Sequence, residues 1–292
     1  MAKLILHAGE NRKFIDIMNE TISGLRFSFD TLTGMDASTR GSLEGYDCEI
    51  VRYQDGVKKE EIFNGSLYDL CALTFPSDHF AYEERFCAKR VGIGTNGVNS
   101  FDFSFGTNYV LKAGSSIRVT VSNQDFGANP NILTVDSLSS VGLQAFIPRI
   151  DVYGLEATKT QHELNLGSNV TKIVYIAEDD ALNMDLKKVS LTSDKLKTED
   201  YKETIYRHRD FVIKPAYTKQ FSELLYGDSK NFLNNVNLKL DFDSAEPNRK
   251  IIVFRSVMTK TVIDTLTKKT MEHRTENVEA VLKNTDTSNC KC

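Results

Sequence analysis

The amino-acid sequence repeats one structural plan in two separate stretches. The stretches are Ile117–Val135, IRVTVSNQDFGANPNILTV, and Val236–Phe254, VNLKLDFDSAEPNRKIIVF. Each begins with apolar residues at every second position, which is the pattern of a strand with one buried face. A polar loop containing Pro130 or Pro247 follows, and a second apolar strand ends the stretch. Interpreted as one β-hairpin used twice, the repeat predicts two similar all-β domains in tandem.

The composition is that of a soluble protein large enough for two hydrophobic cores. The chain has 292 residues, of which 40% are hydrophobic and 26% are charged, and this predicts two domains of ordinary globular type. The formal net charge is −4. General nucleic-acid binding normally requires a basic face, so we expect no direct contact with nucleic acid.

The cysteines and the first residues indicate a cytoplasmic protein. An odd number of cysteines at irregular spacing does not make a disulfide framework. The five are Cys48, Cys71, Cys87, Cys290 and Cys292. The start, MAKLILHAGENRKF, lacks an apolar core as long as that of a signal peptide. No run approaches the roughly 20 apolar residues of a membrane-spanning helix. We therefore expect synthesis and folding in a reducing cytoplasm.

The chain is predicted to divide into three parts. Residues 1–23 form an N-terminal arm, residues 24–155 the first β-domain, and residues 156–292 the second β-domain with a C-terminal tail. In the arm, the apolar residues of Asn11–Ile22 recur at helical spacing, which predicts a short amphipathic helix. The segment after Met258 fits either the extension of a strand or the start of a helix.

Alternating or β-branched runs predict the strands of the two domains. In the first domain they are Leu25–Asp30, Tyr46–Tyr53, Ser100–Phe105, Tyr109–Leu111, Ser116–Ser122, Ile132–Val135 and Gln144–Tyr153. In the second they are Glu163–Leu166, Val170–Ala177 and Lys188–Thr192, with further segments at Phe211–Ile213 and Phe221–Tyr226 before the repeated stretch. Ser66, followed by Asp69, predicts the N-terminus of a short helix through Leu73. Thr198 predicts another helix at the corresponding place in the second domain.

Gly92–Gly97 matches the glycine pattern of a dinucleotide-binding loop, but its context differs. That loop needs a helix after it, whose N-terminus meets the pyrophosphate. Here Val98–Phe105 follows, and it alternates as a strand does. We therefore expect a turn at these glycines and no nucleotide.

The histidines are spread along the chain without the spacing of a zinc site. They are His7, His79, His162, His208 and His273. The chain also lacks a nucleophile elbow and a phosphate-binding loop motif. We therefore expect no catalytic residue, no cofactor and no enzyme activity.

Charged clusters are the remaining candidates for ligand binding. Asp241, Asp243 and Glu246 at the end of a strand offer hard oxygen ligands of the type that Ca²⁺ prefers, as does Glu178–Asp180. Their spacing differs from that of an EF-hand loop, and solvated loop tips are the alternative. Tyr206–Asp210 brings cations together at a predicted helix end, where a phosphate or a partner carboxylate could bind.

Three segments resemble a known family, the double jelly-roll major capsid proteins of tailless icosahedral phages with an internal membrane. The family includes the corticovirus-like and finnlakevirus-like phages. The strongest likeness is FLNNVNLKLDFDSAEPNRKIIVFRSV, Phe232–Val257, which resembles the closing hairpin of these proteins. The strand-to-helix passages Lys188–Phe211 and Tyr46–Thr74 are similar as well. The order of elements resembles the family over most of the chain.

The resemblance implies a fold, an assembly and a location. The fold is all-β with short inserted helices, in two tandem eight-stranded jelly rolls. The assembly is a homotrimer of pseudo-hexagonal outline that tiles an icosahedral capsid beside a vertex (penton) protein, after synthesis in the host cytoplasm. In this family the N-terminal helix commonly lies on the inner side, near the membrane. Arg12, Lys13 and Phe14 are therefore candidates for lipid contact.

Two other functions stay open at the level of sequence. A carbohydrate- or receptor-binding β-protein, such as a phage spike, would use exposed aromatic residues such as Tyr217 and Tyr226 to stack on sugar rings. An enzyme on a double-barrel scaffold would need histidines and a carboxylate clustered on neighbouring strands. The scattered histidines and the absence of tryptophan favour the structural role.

Overall fold

The computed structural model describes residues 2–29, 43–73, 99–124, 132–142, 144, 146–177, 186–195, 197–198, 206–208, 211–213, 216–217, 222–227 and 232–258. Antiparallel strands dominate the described backbone. They are β1 (Lys3–Leu6), β2 (Arg12–Met18), β3 (Thr21–Phe29), β4 (Tyr46–Gln54), β5 (Val57–Ser66), β6 (Asn99–Val110), β7 (Ser115–Asn123), β8 (Leu133–Ser139), β9 (Phe146–Gly154), β10 (Gln161–Gly167), β11 (Val170–Ile176), β12 (Leu186–Thr192), β13 (Lys197–Thr198), β14 (Tyr206–His208), β15 (Phe211–Ile213), β16 (Ala216–Tyr217), β17 (Ser222–Gly227), β18 (Val236–Phe242) and β19 (Lys250–Met258). Helix α1 spans Leu67–Ala72.

The first eight strands form two facing sheets. Sheet A has the strand order β1-β8-β3-β6, and sheet B has the order β2-β7-β4-β5. Consecutive strands therefore alternate between sheets for most of the path, which is the arrangement of a jelly roll.

The later strands repeat this arrangement. Sheet C contains β9-β19-β11-β17 in that order and continues through β15 to β14, with β16 also beside β17. Sheet D has the order β10-β18-β12-β13. In the second jelly roll, β9 to β13 correspond to the first five strands of the first roll, and β17, β18 and β19 correspond to its sixth, seventh and eighth. With this correspondence, the strand order of sheet C matches that of sheet A, and the order of sheet D matches that of sheet B. The predicted fold of two tandem eight-stranded jelly rolls is confirmed.

The two repeated stretches occupy the same place in both jelly rolls, but they are not hairpins. Ile117–Val135 supplies β7 and the start of β8, whereas Val236–Phe254 supplies β18 and most of β19. In each roll the two strands lie in opposite sheets. The prediction of a repeated unit is correct, and the prediction that its strands pair with each other is wrong. Alternation identifies the buried face of a strand but does not identify its hydrogen-bonding neighbour.

The predicted helix at Asn11–Ile22 is wrong, because this segment forms strands. β2 pairs with β7 from Arg12↔Ser122 to Met18↔Ser116, and β3 begins at Thr21. Apolar residues occur on both faces of β2: Ile17 is buried while Phe14 and Met18 are exposed. Residues 1–23 therefore supply two strands and the beginning of a third to the first jelly roll, and they are not a separate arm.

The strand predicted to end the first domain belongs to the second jelly roll. β9 pairs with β19 over its whole length, from Phe146↔Met258 to Gly154↔Lys250. The last strand of sheet A ends at Ser139. We therefore infer a boundary between residues 139 and 146 in place of the predicted one at 155. The predicted helix at Ser66–Leu73 is confirmed by α1, whose N-cap Ser66 accepts a hydrogen bond from the Asp69 amide at 3.2 Å.

Strand β11 of sheet C is buried on both faces, and this joins the two jelly rolls. All seven residues of β11 are buried. Ile173 and Tyr175 belong to the core of the second jelly roll, whereas Val174 and Ile176 belong to the same apolar cluster as the first jelly roll. Ile252 of β19 joins them there. Because each aliphatic side chain stabilises by about 1.5–3 kcal/mol when it is fully buried, this shared cluster is a substantial interface.

Helix α1 lies at this junction. The Lys250 ammonium forms an ion pair with the Asp69 carboxylate at 2.5 Å, and Asp69 is buried. The Lys172 ammonium donates a hydrogen bond to the carbonyl oxygen of Leu73, the C-cap residue, at 2.8 Å. Both lysines come from sheet C, so the second jelly roll holds the helix of the first at its two ends.

Candidate functional surfaces

The outer face of sheet A carries a row of alternating charges. Strand register places Lys3 opposite Asp136, Asp136 opposite Arg26 and Arg26 opposite Asp102. The Arg26 guanidinium donates to both Asp102 oxygens, from Nε at 2.7 Å and from Nη2 at 2.8 Å. This pairing with Asp102 raises the pKa of Arg26. The row crosses the sheet at right angles to its strands and presents charges of both signs.

The outer face of sheet B combines an ion pair with exposed apolar side chains. Arg118 donates to both Asp16 oxygens at 2.8 Å. Its guanidinium also lies 4.6 Å from the ring centroid of Phe14 and 5.2 Å from that of Tyr53. The side chains of Phe14 and Met18 are 58% and 55% exposed. Arg118 thus has its partners within sheet B, a carboxylate and two aromatic rings.

The residues predicted to lie near a membrane are on β2, the edge strand of sheet B. Arg12 and Phe14 are exposed. Lys13 forms an ion pair with Glu10 at 3.2 Å, which offsets its charge. The structure thus places the three predicted residues on a strand rather than on a helix, with Arg12 and Phe14 on its exposed face and Lys13 on the other face.

The candidate calcium ligands do not form a metal-binding group. Asp241 lies opposite Lys188 in the β12–β18 register, and the Asp243 carboxylate is 3.8 Å from the Lys187 ammonium. Among the described residues, no group of three or more histidine, cysteine, aspartate or glutamate side chains could hold a metal ion. Calcium binding by Asp241, Asp243 and Glu246 stays a prediction that this geometry does not favour.

Sheet D bears a polar depression that the sequence did not reveal. Its volume is about 430 Å³, and its lining residues are Gln161, His162, Glu163, Lys188, Ser190, Lys239, Leu240 and Asp241. Glu163 forms an ion pair with Lys239 at 3.2 Å and accepts a hydrogen bond from Asn237 at 3.0 Å. The lining residues come from three neighbouring strands, β10, β12 and β18, whose register had to be known before they could be grouped.

Two of the cysteines lie in the first core. Cys48 and Cys71 are buried, and neither is in a disulfide bond. Burial raises the pKa of the Cys48 thiol, so the thiolate is disfavoured. This is the behaviour of a small apolar core residue.

Several predictions fall on residues outside the described ranges. They are the loop Gly92–Gly97, the acidic cluster Glu178–Asp180, the helix after Thr198, three cysteines (Cys87, Cys290 and Cys292), two histidines (His79 and His273), and the segment after Met258. The strand predicted after the glycine loop is confirmed as β6. His208 was predicted near a helix end, and the backbone there forms β14 instead.

Comparisons with known proteins give likenesses of structure. No protein-family model matches the sequence, and no curated protein matches it. A chain in the atomic structure of Sulfolobus turreted icosahedral virus superposes with a TM-score of 0.53 at 10% identity, covering 88% of this chain and 89% of that chain. The major capsid protein P2 of bacteriophage PM2 has a TM-score of 0.48 at 13% identity, covering 89% and 98%. A chain of the PBCV-1 virus capsid has a TM-score of 0.43 at 10% identity, covering 89% and 94%.

The fold is therefore the double jelly roll. The virus chain with a TM-score above one half shares it over nearly the whole length of both chains. The resemblance to double jelly-roll capsid proteins that the sequence predicts is confirmed at the level of the fold. Within the described residues, no helix combines the length and the apolar character needed to cross a membrane.

Proposed function

We propose that the protein is a major capsid protein, a structural component of a virion that assembles with copies of itself. The observation that carries the proposal is the packing of two jelly rolls of matching strand order, in which residues on the outer face of sheet C join the apolar cluster of the first jelly roll. The fold is shared with a chain of an icosahedral virus, which supports this role. A shell protein acts through the complementarity of its surfaces, so the proposed role requires no catalytic residue.

The finer proposal is a homotrimer of pseudo-hexagonal outline. Each chain supplies two modules with the same topology, so three chains related by a threefold axis present six similar modules. Such a ring fills a hexagonal position in an icosahedral lattice, with a separate vertex protein at the fivefold positions. We propose that the shell is that of a tailless phage with an internal membrane, on the basis of the three segments that resemble this family.

The mass of the purified full-length chain in solution tests the assembly. Three chains of 32.9 kDa give about 99 kDa, and light scattering after gel filtration should report this value. A chain that stays monomeric at every concentration and salt level would contradict the capsid proposal. That result would favour the alternative of a carbohydrate- or receptor-binding protein.

For the membrane contact we propose Arg12, Lys13 and Phe14, consecutive residues of the edge strand β2, of which Arg12 and Phe14 share the exposed face. Deleting residues 1–23 cannot test the contact, because the deletion would remove β1 and β2 from the first jelly roll. Flotation with vesicles containing anionic lipid should instead compare the wild-type chain with a full-length variant carrying Arg12→Ser and Phe14→Ser. Weaker flotation of the variant is expected, and equal flotation would remove these residues from the proposal.

A further inference from the structure

Within one chain, the first jelly roll covers the outer face of sheet C, which belongs to the second jelly roll. The outer face of sheet C carries Val174, Ile176 and Ile252, and all three are fully buried in the cluster of the first jelly roll. Its strand β9 contacts β5 and β6, and its lysines reach helix α1, which follows β5. The covered face thus includes the first, third and eighth strands of the second jelly roll, β9, β11 and β19.

Sheet A is the counterpart of sheet C in the first jelly roll. It consists of the strands with the same positions in the order, β1, β8, β3 and β6. Its outer face, however, is polar: it bears the charge row Lys3, Asp136, Arg26 and Asp102. The Arg26 and Asp102 side chains are 46% and 33% exposed, so within the part of the chain that the structure describes this row is not covered as the centre of sheet C is.

We propose that the outer face of sheet A is the contact between copies, and that its occupant is the second jelly roll of another copy of this chain. The inference rests on the proposed function, since it applies the packing seen within the chain once more between chains. The side that meets sheet A would be the one carrying β13 and β17, the counterparts of β5 and β6. When the same head-to-tail contact joins each copy to the next, the copies form a closed ring if the rotation between neighbouring copies divides a full turn evenly.

The difference in polarity between the two faces follows from when each contact forms. The face of sheet C is covered during the folding of a single chain, so it can be largely apolar, and its lysines Lys172 and Lys250 have partners in helix α1. The face of sheet A must stay soluble until a second copy arrives, because a large exposed apolar face would cause aggregation. Alternating charges keep such a face soluble and set the register of the approaching partner, since a misplaced partner would bring like charges together.

Swapping the charges of one ion pair tests the proposal in the full-length chain. The double variant Arg26→Asp with Asp102→Arg keeps an ion pair within sheet A but reverses the order of charges presented to a partner. The matched control is Arg118→Asp with Asp16→Arg, which swaps the other doubly hydrogen-bonded pair on the outer face of sheet B. The sheet B swap should unfold at nearly the wild-type temperature, because exposed pairs contribute about 1 kcal/mol or less to stability. The sheet A swap also sets a carboxylate opposite Asp136, and this exposed like-charge contact should lower stability by about 1 kcal/mol or less.

Light scattering over a dilution series then measures the dissociation constant of the assembly. We expect the sheet A swap to raise it about tenfold or more, and the sheet B swap to leave it unchanged. If the sheet A variant fails to fold, Lys3→Glu at the end of the same row is the second variant, with the same expected direction.

The outcomes separate this inference from the proposed function. A wild-type chain that never assembles contradicts the capsid proposal itself and removes the basis of the inference. A wild-type trimer that tolerates the sheet A swap, or one that only the sheet B swap dissociates, overturns the inference and leaves the capsid proposal intact.

Discussion

The Lys172 ammonium and the Leu73 carbonyl oxygen join the two jelly rolls through a hydrogen bond of 2.8 Å. Lys172 is only 6% exposed although it carries a charge. Burying a charge is costly unless it is hydrogen-bonded. The carbonyl at the end of α1 can be its partner, because the last carbonyl oxygens of a helix accept no hydrogen bond from within the helix. The two groups therefore satisfy each other at the junction of the rolls.

Replacing Lys172 should destabilise the chain in a graded way. Lys172→Ala removes both the bond and the packing of the aliphatic stem, and we expect the free energy of unfolding to fall by about 2–3 kcal/mol, a typical loss for a hydrogen bond to a charged group. Lys172→Met keeps most of the apolar volume and should cost less. Urea denaturation measures both.

The control for this series is Lys59→Ala, which removes an exposed lysine of β5. It should change the free energy of unfolding by about 0.5 kcal/mol or less. A Lys172→Ala variant as stable as this control would show that the bond to Leu73 does not hold the rolls together.

Gly24 should not tolerate a side chain. A β-bulge shifts the pairing of β3 with β6 between Ile22 and Gly24, and a Cβ atom at Gly24 would collide with the backbone carbonyl oxygen of Phe103. Gly24→Ala is therefore expected to lower stability by about 1–3 kcal/mol, the usual cost of overpacking. Thermal unfolding measures the loss.

Gly154 at the end of β9 provides the matched glycine. A Cβ atom there meets nothing within 4 Å. Gly154→Ala should be neutral or slightly stabilising, because alanine restricts the unfolded chain more than glycine does. Equal melting temperatures for the two variants would contradict the close approach of β3 and β6.

How far the sequence predicts this fold depends on how each strand is buried. β7 and β18 bury one face, so their alternation identified them and located the repeat. β11 is buried on both faces and has no alternation, but its short run of β-branched residues still identified a strand. β2 carries apolar residues on both faces for a different reason, since Phe14 and Met18 lie on the exposed outer face. Its pattern fits a helical period as well, so the sequence predicts a helix where the chain forms a strand.

The surfaces are harder to predict from the sequence than the strands are. The charge row on sheet A is built from Lys3, Arg26, Asp102 and Asp136, which are distant in sequence and meet only through the register of four strands. Register depends on strand partners, and alternation alone does not provide partners. The sequence-based candidates, by contrast, were neighbours along the chain, such as Asp241 and Asp243.

His162 should make the stability of the second jelly roll depend on pH. Burial lowers the pKa of His162 below its ordinary value of 6.5, and the charge of Arg249 lowers it further, although the bond from Nε2 to the Lys159 carbonyl oxygen acts in the opposite direction. The folded state then binds fewer protons than the unfolded state. The stability contribution is full above pH 6.5 and is lost as the pH falls through the lower folded pKa.

NMR titration of the His162 ring should therefore give a midpoint below 6.5. In urea denaturation, His162→Gln should make the free energy of unfolding fall less steeply between pH 7 and pH 5 than it does in the wild type. A midpoint at or above 6.5 would mean that the ring is better solvated than its place beside Phe242, at 5.8 Å between ring centroids, implies.

Neighbouring isoleucines on β19 test whether both faces of sheet C are buried. Ile251 faces the core of the second jelly roll, and Ile252 faces the first jelly roll; both are fully buried. We expect Ile251→Ala and Ile252→Ala each to lower the free energy of unfolding by about 2–5 kcal/mol, because each leaves a cavity in a packed cluster. Val152→Ala, on a partly exposed side chain of the neighbouring strand β9, should cost clearly less.

The two isoleucine variants should differ in how the chain unfolds. Ile251→Ala weakens one jelly roll, so a single transition at lower urea is expected. Ile252→Ala weakens the contact between the rolls, and it should broaden or split the transition as the two rolls lose their coupling. An Ile252→Ala variant that is as stable as Val152→Ala would mean that sheet C has one solvated face, and the packing that underlies the proposed ring of jelly rolls would then be wrong.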